Sequence, residues 1–399
     1  MTPSQTIGPE KTGEPKIQRR DWILLPMLGV LTIVFLAGSV ELFARWMFPQ
    51  LGTGAAGEDC MVFTDPTTGT RGIPNCRVME KIAEGELLQY RFNNKGFRTD
   101  QDFGPKAPGT YRIVMLGTSM TMGMRVPVEK TFAALLPQEI SRRTGRKVEL
   151  YNEAMAYRPS EVVADHFGEV LKAEPDMILW TLNIGDVATQ TEVNMLPIHD
   201  RQSPFIVRAW HRAVQAYNAM SVIDMIRYLF RHTRTSVMLT HFLYSNKSLY
   251  VNASILRDLY VSEPTPEQKM WLLQFDKDFA RIENQARNAG ALMVVAPLPD
   301  HAQTDMILTQ DLPPGVDPYK FYEGLRAIVM KHGGTYVDIL PAIRSKPDFQ
   351  YGYFNAEGHP NRLGHAILAE IYAQGLTNGS IPALKAVVQP QPALTQGKQ

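Results

Sequence analysis

The stretch Tyr111-Arg-Ile-Val-Met-Leu-Gly-Thr-Ser119-Met-Thr-Met-Gly123 decides the fold. Its apolar, partly β-branched run from Ile113 to Leu116 predicts a short buried strand. Gly117 breaks this run, Ser119 follows, and a helical pattern begins near Val128. A turn from strand to helix projects a short side chain at the C-terminal edge of a parallel sheet, where active sites of open α/β folds lie. Ser119 is therefore either a nucleophile with a base in reach or the capping hydroxyl of an ordinary turn.

Strands and helices alternate along the chain from residue 111 onward. Apolar runs predict strands at 113–116, 148–151, 177–182, 292–296 and 336–340. Helical spacing of apolar residues predicts helices at 128–143, 160–173, 266–289, 319–331 and 363–376. The strand at 177–182 is continuously apolar, as is typical of a parallel strand covered on both faces. The alternation indicates βαβ units and one parallel sheet, so the predicted fold class is α/β.

An apolar segment near the N-terminus predicts a membrane anchor. Residues 1–21 are polar and partly basic, which predicts a disordered cytoplasmic segment. The run from Trp22 to Val40 carries no charge, and at about 1.5 Å per residue it nearly crosses a hydrocarbon core of roughly 30 Å. Apolar residues continue to Phe48, so the anchor is placed at 22–48. A cleavable signal peptide, with a shorter apolar region, is the alternative.

The basic residues precede the apolar run, so the positive-inside rule places everything after residue 50 outside the cytoplasm, in the periplasm or the extracellular space. The chain has two cysteines, Cys60 and Cys76, within a region from 50 to 110 that is predicted to be an irregular lead-in. An oxidising compartment permits a Cys60–Cys76 disulfide. The alternative is two unpaired, buried thiols.

Composition excludes other classes of function. The formal net charge is +1, and no basic stripe with interleaved aromatic residues indicates nucleic-acid binding. His359, His365 and Asp186 have no recognisable metal-ligand spacing, and we predict neither a metal nor a cofactor. The tail from 379 to 399 is rich in Pro and Gln, which predicts disorder.

A long insertion separates the third strand of the predicted sheet from the next helix. It covers residues 187–263 and carries helical apolar spacing at 205–220 and 222–230. Five arginines are spread along it: Arg208, Arg212, Arg227, Arg231 and Arg234. One interpretation is a lid over the substrate, or a surface that faces the membrane or an anionic polymer. The alternative is a solvated helical hairpin.

A second polar motif, Glu357-Gly-His359-Pro-Asn361, follows the last predicted strand. In an α/β sheet this loop shares an edge with Ser119. A neutral imidazole of His359 could then take the serine proton, and Glu357 is the nearest acid that could orient the ring. The alternative is a structural histidine in a Gly/Pro loop.

Together, the two motifs resemble those of the SGNH/GDSL hydrolase superfamily. The segment from Gly117 to Gly123 is similar to its first block, Gly-Asp-Ser-x-x-x-Gly, with Thr118 in place of Asp. The segment from Glu357 to Gly364 resembles its last block, which normally has Asp before the histidine. The resemblance covers about 110–378, leaves the insertion unmatched, and implies a flavodoxin-like three-layer α/β/α fold and the hydrolysis or transfer of O-acyl esters.

This chain departs from the superfamily in the two middle sequence blocks, which normally supply donors to the oxyanion. Asn152 is present but no glycine follows it, so the resemblance leaves the backbone N–H of Ala154, Ala156 or Tyr157 as the donor. The third block reads Asn183-Ile-Gly185-Asp186, with Gly185 at the usual position of Asn. Asn183 lies on the same face of an extended strand and could donate instead, or it is only a strand-end cap.

These observations predict a membrane-anchored SGNH-type serine esterase, O-acetyl hydrolase or O-acyltransferase that acts on cell-envelope or exported polysaccharide. Ser119, His359 and Glu357 would form its catalytic triad. Two alternatives stay open at this point. One is a binding or assembly subunit of an envelope complex that kept the fold without the chemistry, and the other is a lipid-acting esterase.

Overall fold

The computed structural model describes residues 20–49, 59–65, 69–156, 158–187, 233–254 and 259–387. Several sequence predictions lie outside these residues: the N-terminal segment 1–19, the insertion helices at 205–220 and 222–230 with their three arginines, Arg231 after them, a donor at Tyr157, and the end of the C-terminal tail.

The described chain begins with a long apolar helix, α1 (Asp21–Met47). Among the described residues, its segment Trp22–Met47 is one helix with the length and mean hydropathy, 2.4, that crossing a membrane requires. Within this segment the 18-residue apolar window is not buried against the rest of the protein. Length and composition alone do not separate an anchor from a signal sequence.

The lead-in is more regular than predicted. It contains β1 (Met61–Asp65) paired with β2 (Gly69–Gly72), and β3 (Arg77–Glu80) paired with β4 (Leu88–Arg91), both antiparallel. The prediction of an irregular segment is therefore wrong for 59–91, because these strands are only four or five residues long and too short to show a clear alternation. A disulfide joins Cys60 to Cys76 and so connects the two hairpins.

The main sheet has five parallel strands. They are β5 (Tyr111–Leu116), β6 (Val148–Asn152), β7 (Met177–Leu182), β8 (Leu292–Pro297) and β9 (Thr335–Tyr336). Their spatial order is β6-β5-β7-β8-β9, and every neighbouring pair is parallel. Counted within the sheet this is the order 2-1-3-4-5, which defines a flavodoxin-like doubly wound sheet. The predicted α/β class with a flavodoxin-like parallel sheet is confirmed.

Helices connect and cover these strands. In chain order they are α2 (Ser119–Met122), α3 (Phe132–Thr144), α4 (Ser160–Asp165), α5 (Phe167–Leu171), α6 (Ile184–Val187), α7 (Arg234–Leu243), α8 (Lys247–Ala253), α9 (Pro266–Asn288), α10 (His301–Thr309), α11 (Lys320–Lys331), α12 (Leu340–Ile343) and α13 (Arg362–Leu376). Helices α7 and α8 belong to the insertion but lie after the two helices that the sequence predicts there, which fall outside the described residues.

Three local predictions needed correction. The predicted helix at 160–173 is two short helices, since the chain breaks at His166 between α4 and α5. The predicted strand at 336–340 shortens to the two residues of β9, and Leu340 already begins a helix. Helix α10 was not predicted, because its seven buried positions from His301 to Ile307 run all round the helix and leave no amphipathic pattern.

One apolar core lies on both faces of the sheet. All six residues of β7 are buried, and α3, α9 and α13 pack against the strands. A second, smaller core lies under the lead-in, where Tyr90 and Phe92 pack with Met122 and Met155. The lead-in therefore packs against the turn that follows β5, which is the part of the fold that carries Ser119.

Candidate active site

Ser119 is the first residue of α2, directly after the turn that ends β5. Gly117 in this turn has φ +153°, and a Cβ there would collide with the side chain of Thr121. Gly123 ends α2 in the left-handed conformation, with φ +76°. At the start of a helix the backbone N–H groups have no partner within the helix, so the N–H of Ser119 is not used by α2 itself.

The structure brings Ser119 and His359 together from opposite ends of the domain. Ser119 Oγ lies 2.9 Å from His359 Nε2, and His359 Nδ1 lies 2.9 Å from Glu357 Oε2. The same carboxylate oxygen accepts a 2.9 Å hydrogen bond from the backbone N–H of His359. A carboxylate accepts only, so it fixes the proton of a neutral ring on Nδ1 and turns the lone pair of Nε2 toward the serine hydroxyl.

A second charge holds Glu357 from its other side. Arg125 Nε donates to Glu357 Oε1 at 2.9 Å, and the same guanidinium forms an ion pair with the buried Glu80 of β3. Burial raises the pKa of Glu357, but the charge and hydrogen bonds of His359 and of Arg125 outweigh burial and leave this pKa below its usual value. Glu357 is therefore a carboxylate at neutral pH and can stabilise an imidazolium beside it.

The lead-in holds the loop of Glu357 through Glu84. The Glu84 carboxylate accepts from the backbone N–H of Ala356 at 3.0 Å and from that of Glu357 at 2.9 Å. It also lies 2.6 Å from Nδ1 of His241 in α7. Nothing in the local spacing around Glu84 pointed to this role, since its partners lie 157 and more than 270 residues away in the chain.

The lead-in also holds the turn around Ser119, through Arg98. This buried guanidinium donates to the backbone carbonyls of Met122, Gly123 and Val126, and it lies 4.3 Å from the centre of the Tyr90 ring. From the other side, Asn152 Nδ2 donates to the carbonyl of Thr121 at 2.9 Å. The carbonyls at the end of α2 thus have partners, which fixes the position of Ser119.

Thr118 and Asp186 join the ends of β5 and β7. Thr118 Oγ1 donates to Asp186 Oδ1 at 2.5 Å, and Asp186 Oδ2 accepts from the backbone N–H of Asn183 at 3.0 Å. The order of the sheet reverses between these two strands, and ligands of open α/β sheets bind at such a point. Burial raises the pKa of Asp186 to about 7, although both hydrogen bonds act in the opposite direction.

The predicted oxyanion donors differ in what they bind. Asn183 Nδ2 donates to the carbonyl of Leu298 at 3.1 Å, and the Asn183 side chain also hydrogen-bonds Asp300. The N–H of Ala154 donates to Asn152 Oδ1 at 3.2 Å. Both groups therefore have partners in this structure: the amide of Asn183 is held at the end of β8, and the N–H of Ala154 is held by Asn152.

Ala156 and Gly185 complete the predicted set of donors. Ala156 is buried, and its N–H donates no hydrogen bond to an atom of the residues that the structure describes. Gly185 lies within α6 and supplies no side-chain donor. Within the described residues, Ala156 is thus the predicted donor whose N–H is left for an oxyanion. The N–H of Ser119, at the start of α2, is a further backbone donor next to the nucleophile.

No group of three or more His, Cys, Asp and Glu side chains within the described ranges could hold a metal ion. His365 is buried, and its Nδ1 accepts from the backbone N–H of Phe132 at 3.2 Å. Burial lowers the pKa of His365 to about 3, with Arg98 and His359 acting in the same direction. His365 is therefore a neutral packing residue that joins α13 to α3.

Fold and site define the class: a flavodoxin-like α/β protein with a Ser-His-Glu arrangement at the C-terminal edge of its sheet. The strand order, with Ser119 after the first strand of the sheet and His359 after the last, agrees with the resemblance to the SGNH hydrolases. No family model matches the sequence, and no curated protein matches it.

Several solved structures are similar to part of this chain at low sequence identity. A structure of TesA has 13% sequence identity and a TM-score of 0.37, with 67% of this chain and 98% of the other covered. A lipase/acylhydrolase from Enterococcus faecalis has 12% identity and a TM-score of 0.37, with 66% and 94% covered. The acetyl xylan esterase AlAXEase has 11% identity and a TM-score of 0.36, with 65% and 97% covered. Likenesses this distant carry no conclusion about the function of this chain.

Proposed function

We propose that the protein is a membrane-anchored serine esterase or O-acyltransferase of the SGNH type. The observation that carries the proposal is the continuous hydrogen-bonded series from Ser119 through His359 to Glu357, with both links at 2.9 Å. A nucleophile, a base and an orienting carboxylate within hydrogen-bond reach are the arrangement that activates a serine hydroxyl.

The reaction would proceed in two halves. Ser119 Oγ attacks the acyl carbonyl while His359 Nε2 takes the hydroxyl proton, and the resulting imidazolium lies against the Glu357 carboxylate. The N–H groups of Ser119 and Ala156 bind the oxyanion of the tetrahedral intermediate. The imidazolium then gives its proton to the leaving alcohol, which yields an acyl-enzyme and a free hydroxyl. In the second half, water or the hydroxyl of an acceptor attacks the acyl-enzyme carbonyl while His359 Nε2 takes its proton. The imidazolium gives this proton to Ser119 Oγ as the bond between the acyl group and Oγ breaks, which releases the acid or the new ester.

The proposed substrate is an O-acyl group, such as O-acetyl, on cell-envelope or exported polysaccharide. Two features support it. The candidate anchor with basic residues before it would place the domain outside the cytoplasm. His359 keeps about a fifth of its side chain exposed. A site open to the surface can admit a residue within a polymer.

A second candidate function follows from the altered oxyanion donors. Because Asn183 is held by Leu298 and Asp300, the side-chain donor that the superfamily normally supplies is missing from the arrangement. Losing one oxyanion donor lowers the rate by about 10²–10³. A binding or assembly subunit with the same fold and little chemistry is therefore the competing proposal.

The test is turnover of p-nitrophenyl acetate by the full chain in detergent or lipid. The proposal predicts a rate that Ser119→Ala lowers by at least about 10³-fold, since residual rates reflect binding and oxyanion donors alone. Ser345→Ala is the matched control, because Ser345 is exposed and hydrogen-bonds only locally, to the carbonyl of Ala342. Equal rates for the wild type and Ser119→Ala would reject the esterase and favour the binding or assembly subunit.

A further inference from the structure

One carboxylate of the lead-in, that of Glu84, contacts both the loop that carries the triad and the insertion. Its Oε2 accepts from the backbone N–H of Ala356 at 3.0 Å and from that of Glu357 at 2.9 Å. Its Oε1 lies 2.6 Å from Nδ1 of His241 in α7. The Glu84 side chain is only 4% exposed. Burying a carboxylate without hydrogen-bond donors is costly, so these contacts keep Glu84 in its place.

The two backbone N–H groups belong to the triad loop (354–359). The N–H of Phe354 donates to the carbonyl of His359 at 3.0 Å, which closes this loop from within. Glu84 binds the same loop from outside, through the N–H groups of Ala356 and Glu357. Successive backbone N–H groups that converge on one anionic oxygen form an anion-binding concavity. The oxygen of Glu84 therefore fixes the backbone at the residue that supplies the acid of the triad.

The backbone position of Glu357 decides where its carboxylate lies. The side chain extends from this backbone to His359 Nδ1 at 2.9 Å, and His359 Nε2 lies 2.9 Å from Ser119 Oγ. A displacement of about 1 Å in such an arrangement can lower a rate by about 10²-fold. Arg125 holds the Glu357 carboxylate, whereas Glu84 holds the Glu357 backbone, so the two contacts restrain different parts of one residue.

Helix α7, which carries His241, is held at both of its ends. At its start, the Glu41 carboxylate of α1 accepts from the backbone N–H of Arg234 at 3.0 Å and from that of Thr235 at 2.9 Å. At its other end, Asn355 Nδ2 of the triad loop donates to the carbonyl of His241 at 3.2 Å. The imidazole of His241 thus meets Glu84 from a helix whose position is fixed by the end of α1 and by the triad loop.

We propose that Glu84 is a positioning residue for the triad and that His241 holds the Glu84 carboxylate in the orientation this requires. The insertion then takes part in catalysis through the contact between His241 and Glu84. The inference rests on the proposed function, because it gives this pair a part in the same reaction. The alternative is that the pair only attaches α7 to the lead-in, in which case its loss would lower stability but not kcat.

The first experiment compares two substitutions of Glu84 in the full chain, in detergent or lipid. Glu84→Gln keeps one oxygen for both N–H groups, and its amide nitrogen can donate to Nδ1 of the other tautomer of His241. Glu84→Leu removes both oxygens. With p-nitrophenyl acetate we expect Glu84→Leu to lower kcat by about 10–10²-fold and to change KM by less than about twofold. Glu84→Gln should retain most of kcat.

The matched control is Glu86→Gln. Glu86 lies two residues further along the lead-in and forms an exposed ion pair with Arg362, and such surface pairs contribute little. Its substitution should leave kcat and KM unchanged. A folded Glu84→Leu variant with the kcat of the wild type would overturn the inference. Glu84→Ala is the second variant if Glu84→Leu does not fold.

The part assigned to the insertion is tested at His241. His241→Leu removes the donor, whereas His241→Asn keeps an amide N–H at a similar distance from the backbone. We expect His241→Leu to lower kcat several-fold, less than Glu84→Leu does, because the hydrogen bonds of Glu84 to the triad loop remain. His241→Asn should restore most of kcat. A full kcat in His241→Leu would overturn the role of α7.

Hydrogen exchange of the peptide that contains Ala356 and Glu357 reports on the same contact without turnover. Glu84→Leu should speed up exchange at these two N–H groups by about tenfold or more, and Glu84→Gln should not. Unchanged exchange in a folded Glu84→Leu variant would overturn the inference even if the wild type is an active esterase. A wild type without Ser119-dependent turnover would reject the proposed function, and the exchange rates would still decide whether Glu84 holds the loop.

Discussion

Glu357 contacts the imidazole of His359 and the guanidinium of Arg125 at once, and these two contacts decide its role in the site. Nδ1 of His359 lies 2.9 Å from each carboxylate oxygen, and Nε of Arg125 donates to one of them, Oε1, at 2.9 Å. The sequence placed Glu357 beside His359, because the two residues are neighbours in one loop. Arg125 could not be predicted, since it is 232 residues from Glu357 and lies in a turn with a positive φ of 72°.

Replacing Glu357 by Gln tests this role. An amide keeps the size of the side chain but can donate to Nδ1, which favours the wrong tautomer of His359. We expect kcat to fall by about 10⁴-fold with a smaller change in KM, as for a carboxylate that orients a catalytic histidine. Asp348→Asn, an exposed carboxylate in a neighbouring turn, is the control. An unchanged kcat in Glu357→Gln would show that this carboxylate does not orient the base.

Asp186 gives a prediction on stability and pH. Burial raises its pKa in the folded protein from the usual 3.8 to about 7. A raised pKa favours the folded state at low pH, and this contribution is lost as the pH rises from about 4 to about 7. At about 1.4 kcal/mol per pKa unit the loss amounts to at most about 4 kcal/mol.

We therefore expect Asp186→Asn to remove part of the fall in Tm of the full chain between pH 5 and pH 8. The asparagine stays neutral over this range, and the Thr118 hydroxyl can still donate to its oxygen. Glu323→Gln, an exposed carboxylate on α11, is the control and should leave the pH profile unchanged. If wild type and Asp186→Asn lost the same Tm over this range, Asp186 would not titrate as described.

At the scale of elements, four of the five predicted strands were close to those observed, because continuous apolar runs mark buried parallel strands. The strand Met177–Leu182 has the predicted bounds. The role of the lead-in in the site was missed because it depends on tertiary contacts. Arg98, Glu80 and Glu84 are polar residues, and their partners lie far away in the sequence and come near them only in the folded chain. Asn183 was correctly placed at a strand end, but which neighbour its amide faces depends on Leu298 and Asp300, 115 or more residues away.

Arg98→Met tests whether the lead-in holds the serine turn. Methionine fills similar space but leaves the carbonyls of Met122, Gly123 and Val126 without this donor, each at a cost of about 1–3 kcal/mol if it stays buried. We expect a lower Tm and a lower kcat, with little change in KM for a small ester. Arg142→Met, at an exposed arginine on α3, should change neither. A full kcat in Arg98→Met would mean that the turn keeps its shape without the lead-in.

At the scale of the whole molecule, the disulfide and the candidate anchor both indicate the compartment in which the domain lies. The sequence predicted both from the position of the basic residues and of the two cysteines. The pairing of Cys60 with Cys76, with 5.8 Å between their Cα atoms, is present in the structure. That the domain lies outside the cytoplasm is part of the proposal. It rests on the positive-inside rule, which relates the basic residues before α1 to the direction in which the helix inserts.

Removing the disulfide should destabilise the lead-in. The bridge closes a loop of 16 residues, which corresponds to about 3 kcal/mol in the chain-entropy description. We expect Cys60→Ser with Cys76→Ser to lower the Tm of the full chain, and a reducing agent to lower the Tm of the wild type alone. A Tm that neither change affects would indicate that the two hairpins are held by their apolar core.

The central claim is that Ser119 is an activated nucleophile, and covalent trapping tests it most directly. A fluorophosphonate probe is added to the full chain, and the modified peptide is identified by mass spectrometry. We predict one adduct, on Ser119, that His359→Gln abolishes and Ser345→Ala leaves unchanged. No adduct on Ser119, or equal labelling of the wild type and His359→Gln, would contradict the account.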